Sequence, residues 1–150
     1  MNRVKLSPAN MVILAAGVVM LIASFLAFYQ FTATSPFTGS TVTVSINAWD
    51  HGLFLIATLP ALLGMFMALQ VGLVAFGRID MPNRLLGLTW DQVHLVLALQ
   101  TALLMGAFLV AANGSASFGI GFWLMLVAAL ALVVGAIMRV IASNRRPRLL

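Results

Sequence analysis

The chain contains no cysteine among its 150 residues, and it carries very little charge. The absence of cysteine excludes disulfides, thiolate metal sites and thiol catalysis. Charged residues make up only 7% of the chain, whereas a soluble domain carries about 25%. Because 63% of the residues are apolar, a soluble fold would expose apolar surface to water and aggregate. The composition therefore predicts an integral membrane protein.

Acidic residues are especially few, and their positions disfavour enzymatic chemistry. The chain has only Asp50, Asp80 and Asp91, and the topology derived below separates Asp50 from the other two by the membrane. Paired carboxylates for general acid–base catalysis are therefore not expected. The sequence around Asp50 offers no serine or cysteine nucleophile together with a base. No charged residue is expected at mid-membrane, where pumps and ion-coupled transporters usually need one. We expect no enzyme activity.

Four long apolar runs predict an all-α membrane bundle that forms a single domain. Each run is long enough for a transmembrane helix, and the four spans are expected at about residues 8–31, 48–76, 90–112 and 118–142. Ser7 followed by Pro8 predicts the start of the first helix. Asn47 is expected to cap the second helix, and Thr89 with Gln92 forms the capping box of the third.

All eight basic residues fall on one side of this topology. They precede the first span, separate the second from the third, or end and follow the fourth: Arg3, Lys5, Arg78, Arg84, Arg139, Arg145, Arg146 and Arg148. Loops rich in Lys and Arg stay in the cytoplasm during insertion. Both termini are therefore expected in the cytoplasm. The charges follow the topology and form no nucleic-acid patch, so the expected partners are the lipid bilayer and other membrane subunits.

The segment between the first two spans is predicted to form a short β-like outer loop. Residues 35–39 carry a turn signal, and residues 41–45 alternate hydroxyl and valine side chains. A lone hairpin is marginal in water, so it must rest on the bundle, the outer leaflet or a partner. The residues expected to form an outer partner surface are Pro36, Phe37, Val42, Val44, Trp49, Asp50 and His51.

Small residues recur at helical spacing on one face of the second and third spans. Helices in lipid associate through close van der Waals approach, which small side chains permit. The predicted helix-packing residues are Ala57, Ala61, Gly64, Ala68, Gly72, Ala98, Ala102 and Gly106. The alternative is that alanine and glycine are simply common in this chain.

Three polar side chains interrupt the apolar spans: Thr58, Gln70 and Gln100. The two glutamines are each expected about 10 Å from the cytoplasmic ends of adjacent antiparallel helices. A hydrogen bond between them would contribute about 0.6–1.7 kcal/mol. The alternative is that they line a ligand or ion path.

The two histidines invite a haem hypothesis, which their positions oppose. His51 is expected near the outer end of the second span and His94 near the inner end of the third. They would lie about 25–30 Å apart across the bilayer, so one haem cannot bridge them. No cofactor or metal site is therefore expected.

Four segments, at residues 28–31, 47–54, 86–90 and 121–126, carry a resemblance to a group of small four-span membrane proteins of actinobacteria. The resemblance implies the four-span topology and a location in the bacterial plasma membrane, and it assigns no activity to any residue. The leading hypothesis is a non-enzymatic accessory or assembly subunit of a larger bacterial membrane complex. The alternatives are a small oligomeric channel or transporter subunit and, ranked lowest, a haem- or quinone-associated electron-transfer subunit.

Overall fold

The computed structural model describes residues 6–50, 52, 54–76, 84–85, 87–111 and 116–144. This part of the chain is mostly helical, as predicted, and its four helices are α1 (Pro8–Ser24), α2 (Phe54–Phe76), α3 (Trp90–Ala111) and α4 (Ile120–Asn144). Its strands are β1 (Tyr29–Thr34), β2 (Thr41–Ile46), β3 (Arg84–Leu85), β4 (Leu88–Thr89) and β5 (Ala116–Phe118). They form a three-stranded antiparallel sheet in the order β2-β1-β5 and a separate pairing of β3 with β4.

Among the described helices, three are long and apolar enough to cross a membrane. The apolar stretches of α2, α3 and α4 contain 22, 22 and 25 residues. Helix α1 has only 17 residues and rises about 26 Å, against about 30 Å for a hydrocarbon core. In a bilayer, the segment that follows α1 would therefore have to complete the crossing.

Two helix starts follow the predicted capping chemistry. The Ser7 hydroxyl accepts a hydrogen bond from the backbone N–H of Asn10 at 3.2 Å. At α3, the N–H of Thr89 donates to Oε1 of Gln92 at 2.9 Å, and the N–H of Gln92 donates back to Oγ1 of Thr89 at 3.4 Å. Both caps are confirmed, because each satisfies backbone donors that the first turn of a helix leaves without partners.

Two predicted helix boundaries are wrong. Helix α1 ends at Ser24 instead of continuing to residue 31, and Tyr29 begins strand β1. Helix α2 begins at Phe54, so Asn47 does not cap it. Asn47 instead belongs to a turn, where its Oδ1 accepts from the N–H of Trp49 and its own N–H donates to Oδ2 of Asp50, both at 2.7 Å.

The predicted strand at residues 41–45 is confirmed as β2, but it belongs to a sheet rather than to a lone hairpin. Its neighbour β1 includes residues 29–31, which were expected to be helical, and β5 adds a third strand. Cross-strand partners share a face of a sheet. One face is apolar and carries the pairs Tyr29 with Ile46, Phe31 with Val44, and Ala33 with Val42. The other face carries hydroxyl groups, with Oγ1 of Thr32 3.5 Å from Oγ1 of Thr43.

Glycines bring α1 into close contact with α2 and α4. A Cβ atom on Gly17 would lie 2.5 Å from the carbonyl oxygen of Gly64 and 2.6 Å from Cβ of Ala68. A Cβ atom on Gly135 would lie 2.7 Å from Cγ1 of Ile13. These separations are shorter than real Cβ atoms adopt, so the backbones approach closely only because both positions lack a side chain.

Methionines fill much of the space between the helices. The large side chains with no exposed surface in the core include Ile13, Met20, Met67, Met105, Met125 and Leu132. Methionine is unbranched and fits irregular gaps, which suits a core whose other members are mostly alanine. The interior between the described helices is therefore packed with side chains.

The bundle has two chemically different ends. The start of α1, the end of α2, the start of α3 and the end of α4 meet at the end that carries Asp91 and Arg139, which we call the charged end. The three-stranded sheet lies at the other, the sheet end. There Phe28 is fully buried, with its ring edge-on to the rings of Phe108 and Phe122 at centroid distances of 5.0 and 5.3 Å.

Candidate functional site

An ion pair joins α3 to α4 at the charged end. Nε of Arg139 donates to Oδ1 of Asp91 at 2.9 Å, and the two side chains are 18% and 25% exposed. Asp91 lies in the first turn of α3, where the helix dipole favours a carboxylate. The pair is therefore held between two helices and only partly screened by solvent.

The same guanidinium also contacts a buried histidine. Nη1 of Arg139 lies 3.0 Å from Nδ1 of His94, which is 1% exposed. Arginine can only donate hydrogen bonds, so Nδ1 must accept and the neutral ring carries its proton on Nε2. Asp91 and His94 are three residues apart on one face of α3, and together they fix the orientation of Arg139.

Two clefts open beside Arg139. The larger has a volume of about 370 Å³ and lies between the start of α1 and the end of α4, where Ser7, Asn10 and Ser143 line it with Asp91 and Arg139. The smaller, about 190 Å³, lies between α1 and α2, and its polar lining is Asn10, Gln70 and Arg139. Asn10 and Arg139 line both clefts. Among the described residues, no three His, Asp or Glu side chains lie close enough together to hold a metal ion.

A second candidate surface lies at the sheet end. The apolar face of the sheet continues beyond the aromatic cluster, and Phe31, Val42 and Val44 are 40%, 59% and 54% exposed. Phe37, in the turn between β1 and β2, is 96% exposed. Strand β2 is an edge strand, and its outer backbone groups face no other strand of the sheet.

Two members of the predicted outer partner surface have contacts within the protein. The indole Nε1 of Trp49 donates to the hydroxyl of Ser24 at 2.9 Å, and its ring stacks on Phe25 at a centroid distance of 5.3 Å. Asp50 accepts from the backbone of Asn47. Pro36, like Phe37, is exposed. His51 lies outside the described residues.

The predicted helix-packing residues fall into three groups. The structure buries Ala57, Ala61, Gly64, Ala68 and Ala98. Gly72 and Ala102 are half-buried. Gly106 is half-buried as well, but outside its own helix backbone no atom lies within 4 Å of the position that a Cβ would take. The prediction that Gly106 packs against another helix is therefore wrong.

The predicted pairing of Gln70 with Gln100 is also wrong. Gln70 is 5% exposed and Thr58 is 2% exposed, so both lie inside the bundle. Gln100 is exposed on the surface of α3. Gln100 lies on a different face of α3 from the buried residues Ala98 and Thr101, so it does not face the interior of the bundle.

Sequence reasoning did not predict the arrangement of Asp91, His94 and Arg139. Asp91 was considered only as one of the few acidic residues, and Arg139 only as a topology signal. The ion pair could have been predicted by comparing how far each residue lies from the same end of two antiparallel helices. Asp91 is the second residue of α3, and Arg139 lies five residues before the end of α4. At about 1.5 Å per residue, both lie within two turns of the same end.

Comparisons of the chain with protein-family models, with curated proteins and with solved structures find no match. The function must therefore be argued from the two surfaces described above.

Proposed function

We propose that the protein is a four-span membrane protein of the bacterial plasma membrane with both termini in the cytoplasm. The positions of the basic residues along the chain support this orientation. Arg139 lies at that end, and each other basic residue is within a few positions of a helix terminus there. Positively charged segments remain cytoplasmic during insertion. The sheet end then faces the outside.

Within the membrane, the protein acts as a non-enzymatic accessory or assembly subunit of a larger complex. The observation that carries this proposal is the exposed apolar face of the sheet, formed by Phe31, Ala33, Val42 and Val44. Exposed apolar surface that continues from a folded core is typical of protein interaction sites. The hydroxyl-rich opposite face suits water. The sheet therefore has one face for solvent and one for a partner.

The edge of the sheet indicates how a partner would be bound. Natural edge strands are usually protected by lysine, proline or a bulge, and β2 contains neither residue and pairs with β1 in continuous register over six residues. A strand of the partner can extend the sheet at β2 through main-chain hydrogen bonds, while its side chains cover the two valines. The partner is thus an outer segment of a larger membrane protein.

The packed interior weighs against a pore through a single copy. Met67, Met105 and Leu132 have no exposed surface, and the two polar clefts lie at the charged end. A channel would therefore have to form between copies. A protein that purifies as a homo-oligomer without other subunits would favour that alternative over the accessory role.

A pair of matched variants tests the docking proposal. Val42→Thr with Val44→Thr removes the apolar contact but keeps side chains that favour a strand, whereas Thr41→Ser with Thr43→Ser changes only the hydroxyl-rich face. A photo-crosslinking residue at position 37 identifies the neighbour in native membranes. The proposal predicts one crosslinked membrane protein. The crosslink should be lost when Val42 and Val44 are replaced by threonine and kept when Thr41 and Thr43 are replaced by serine. Crosslinks only to lipid or to a second copy would contradict it.

A further inference from the structure

The larger cleft at the charged end has the shape and chemistry of a small-molecule site. Its volume of about 370 Å³ falls within the range of about 300–1,000 Å³ that is typical of ligand pockets. Hydroxyl groups of Ser7 and Ser143 lie on its walls with Arg139, and Pro8, Ala9, Met138 and Ala142 supply an apolar part. The cleft therefore combines a polar wall with an apolar one.

Arg139 has donors available to this cleft. Its hydrogen bonds to Asp91 and His94 use Nε and Nη1, and within the part of the chain that the structure describes, Nη2 donates to no other group. Asp91 and His94 hold the guanidinium in a fixed orientation, so it binds a ligand with little further loss of side-chain freedom. A planar guanidinium with fixed orientation is well suited to phosphate oxygens.

The electrostatic balance of the cleft favours an anion. Asp91 and Arg139 together are close to neutral, while the start of α1 adds the partial positive charge of a helix N-terminus. In the sequence, Lys5 precedes and Arg145 follows the residues that line this cleft. With the partial charge of the helix N-terminus, the described lining is slightly positive.

The position of the cleft identifies the kind of anion. It lies at the end of four apolar helices, where the headgroups of a bilayer would meet the protein. We propose that the cleft binds the phosphate group of an anionic phospholipid of the inner leaflet, with Arg139 and the Ser7 hydroxyl on the phosphate and Met138 and Ala142 beside the acyl chain. This assignment rests on the proposed membrane orientation and is independent of the docking of a partner at the sheet.

A cleft-filling variant with a neighbouring control tests the assignment. Ala142 is exposed and lines the cleft, so Ala142→Phe fills it without removing any polar contact. Ile141 is also exposed, at 46%, and does not line the cleft, so Ile141→Phe adds a phenyl ring to the same turn. Arg139→Gln removes the proposed phosphate ligand without adding bulk to the cleft.

The measurement is the thermal unfolding midpoint of the purified protein in detergent micelles. Phosphatidylglycerol, phosphatidylcholine and inorganic phosphate are added separately. At ten times the dissociation constant, phosphatidylglycerol should raise the midpoint of the wild type and of Ile141→Phe by about 3–6 °C. It should have little effect on Ala142→Phe and Arg139→Gln.

Three results would overturn the assignment. They are an equal increment in Ala142→Phe, an equal increment from phosphatidylcholine, and the same increment from inorganic phosphate alone, which would assign the cleft to a soluble anion. Because the purified chain is measured without partners, failure here leaves the sheet proposal standing. Failure of the crosslinking test would likewise leave the lipid assignment intact.

Discussion

Nε of Arg139 lies 2.9 Å from Oδ1 of Asp91 and so links two helices through residues 48 positions apart in the chain. Nη1 of the same guanidinium reaches His94. The ion pair is the polar connection between α3 and α4 around which both clefts of the charged end are arranged.

Removal of this ion pair should destabilise the bundle. Arg139→Gln leaves the Asp91 carboxylate partly buried without its cation and removes the donor to His94. A surface pair contributes about 0–1 kcal/mol and breaking a buried one costs about 3–5 kcal/mol. Because this pair is 18% and 25% exposed, we expect a loss of about 1–3 kcal/mol in the free energy of unfolding.

Denaturant titration in detergent measures that loss, with Arg84→Gln as the charge-matched control. Arg84 is exposed in β3, and its replacement should change stability by less than about 0.5 kcal/mol. Equal losses of stability from the two substitutions would contradict the prediction, because the loss would then follow from removing a positive charge and not from breaking the ion pair.

The contact between α1 and α2 should not tolerate even one added methyl group. Gly17→Ala places a Cβ against the backbone of Gly64 and the side chain of Ala68, so the helices must separate. Overpacking of this kind costs about 1–3 kcal/mol. The thermal unfolding midpoint should fall accordingly.

Gly106→Ala is the matched control for Gly17→Ala. The space around Gly106 is open, and alanine is favoured over glycine within a helix by about 0.5–1 kcal/mol. The midpoint should therefore stay the same or rise. Equal losses at both positions would contradict the close approach of α1 and α2.

The hydrogen bond between Trp49 and Ser24 should hold the turn before α2 against the end of α1. Ser24→Ala removes the acceptor of the indole N–H, at a cost of about 0.5–1.5 kcal/mol. The emission spectrum of tryptophan and the unfolding midpoint should both change. Ser143→Ala, at an exposed serine bonded only to its own helix in the described structure, should change neither; a silent Ser24→Ala would contradict the proposed role of this bond.

Local chemistry made part of the fold predictable from sequence. The cap at Ser7 and the capping box of Thr89 and Gln92 depend on residues within one turn, and both were predicted correctly. The alternation at residues 41–45 likewise identified β2. Apolar length alone predicted α2, α3 and α4 as candidate spans.

Features that depend on distant contacts were missed. Residues 29–31 were assigned to a helix because they end the first apolar run, but pairing with β2 and β5 makes them a strand. Gln100 and Gly106 were placed by spacing within one helix, and only the packing of neighbouring helices shows which face is covered. The ion pair of Arg139 and Asp91 was missed for the same reason.

The orientation of the four helices is the central claim, and cysteine labelling tests it most directly. The wild-type chain has no cysteine, so Ser40→Cys and Ser143→Cys each introduce the only thiol. Both positions are exposed, one beside β2 and the other at the end of α4. In intact cells, a membrane-impermeant maleimide should label Ser40→Cys at once and Ser143→Cys only after permeabilisation. Labelling of Ser143→Cys from outside intact cells would contradict the account.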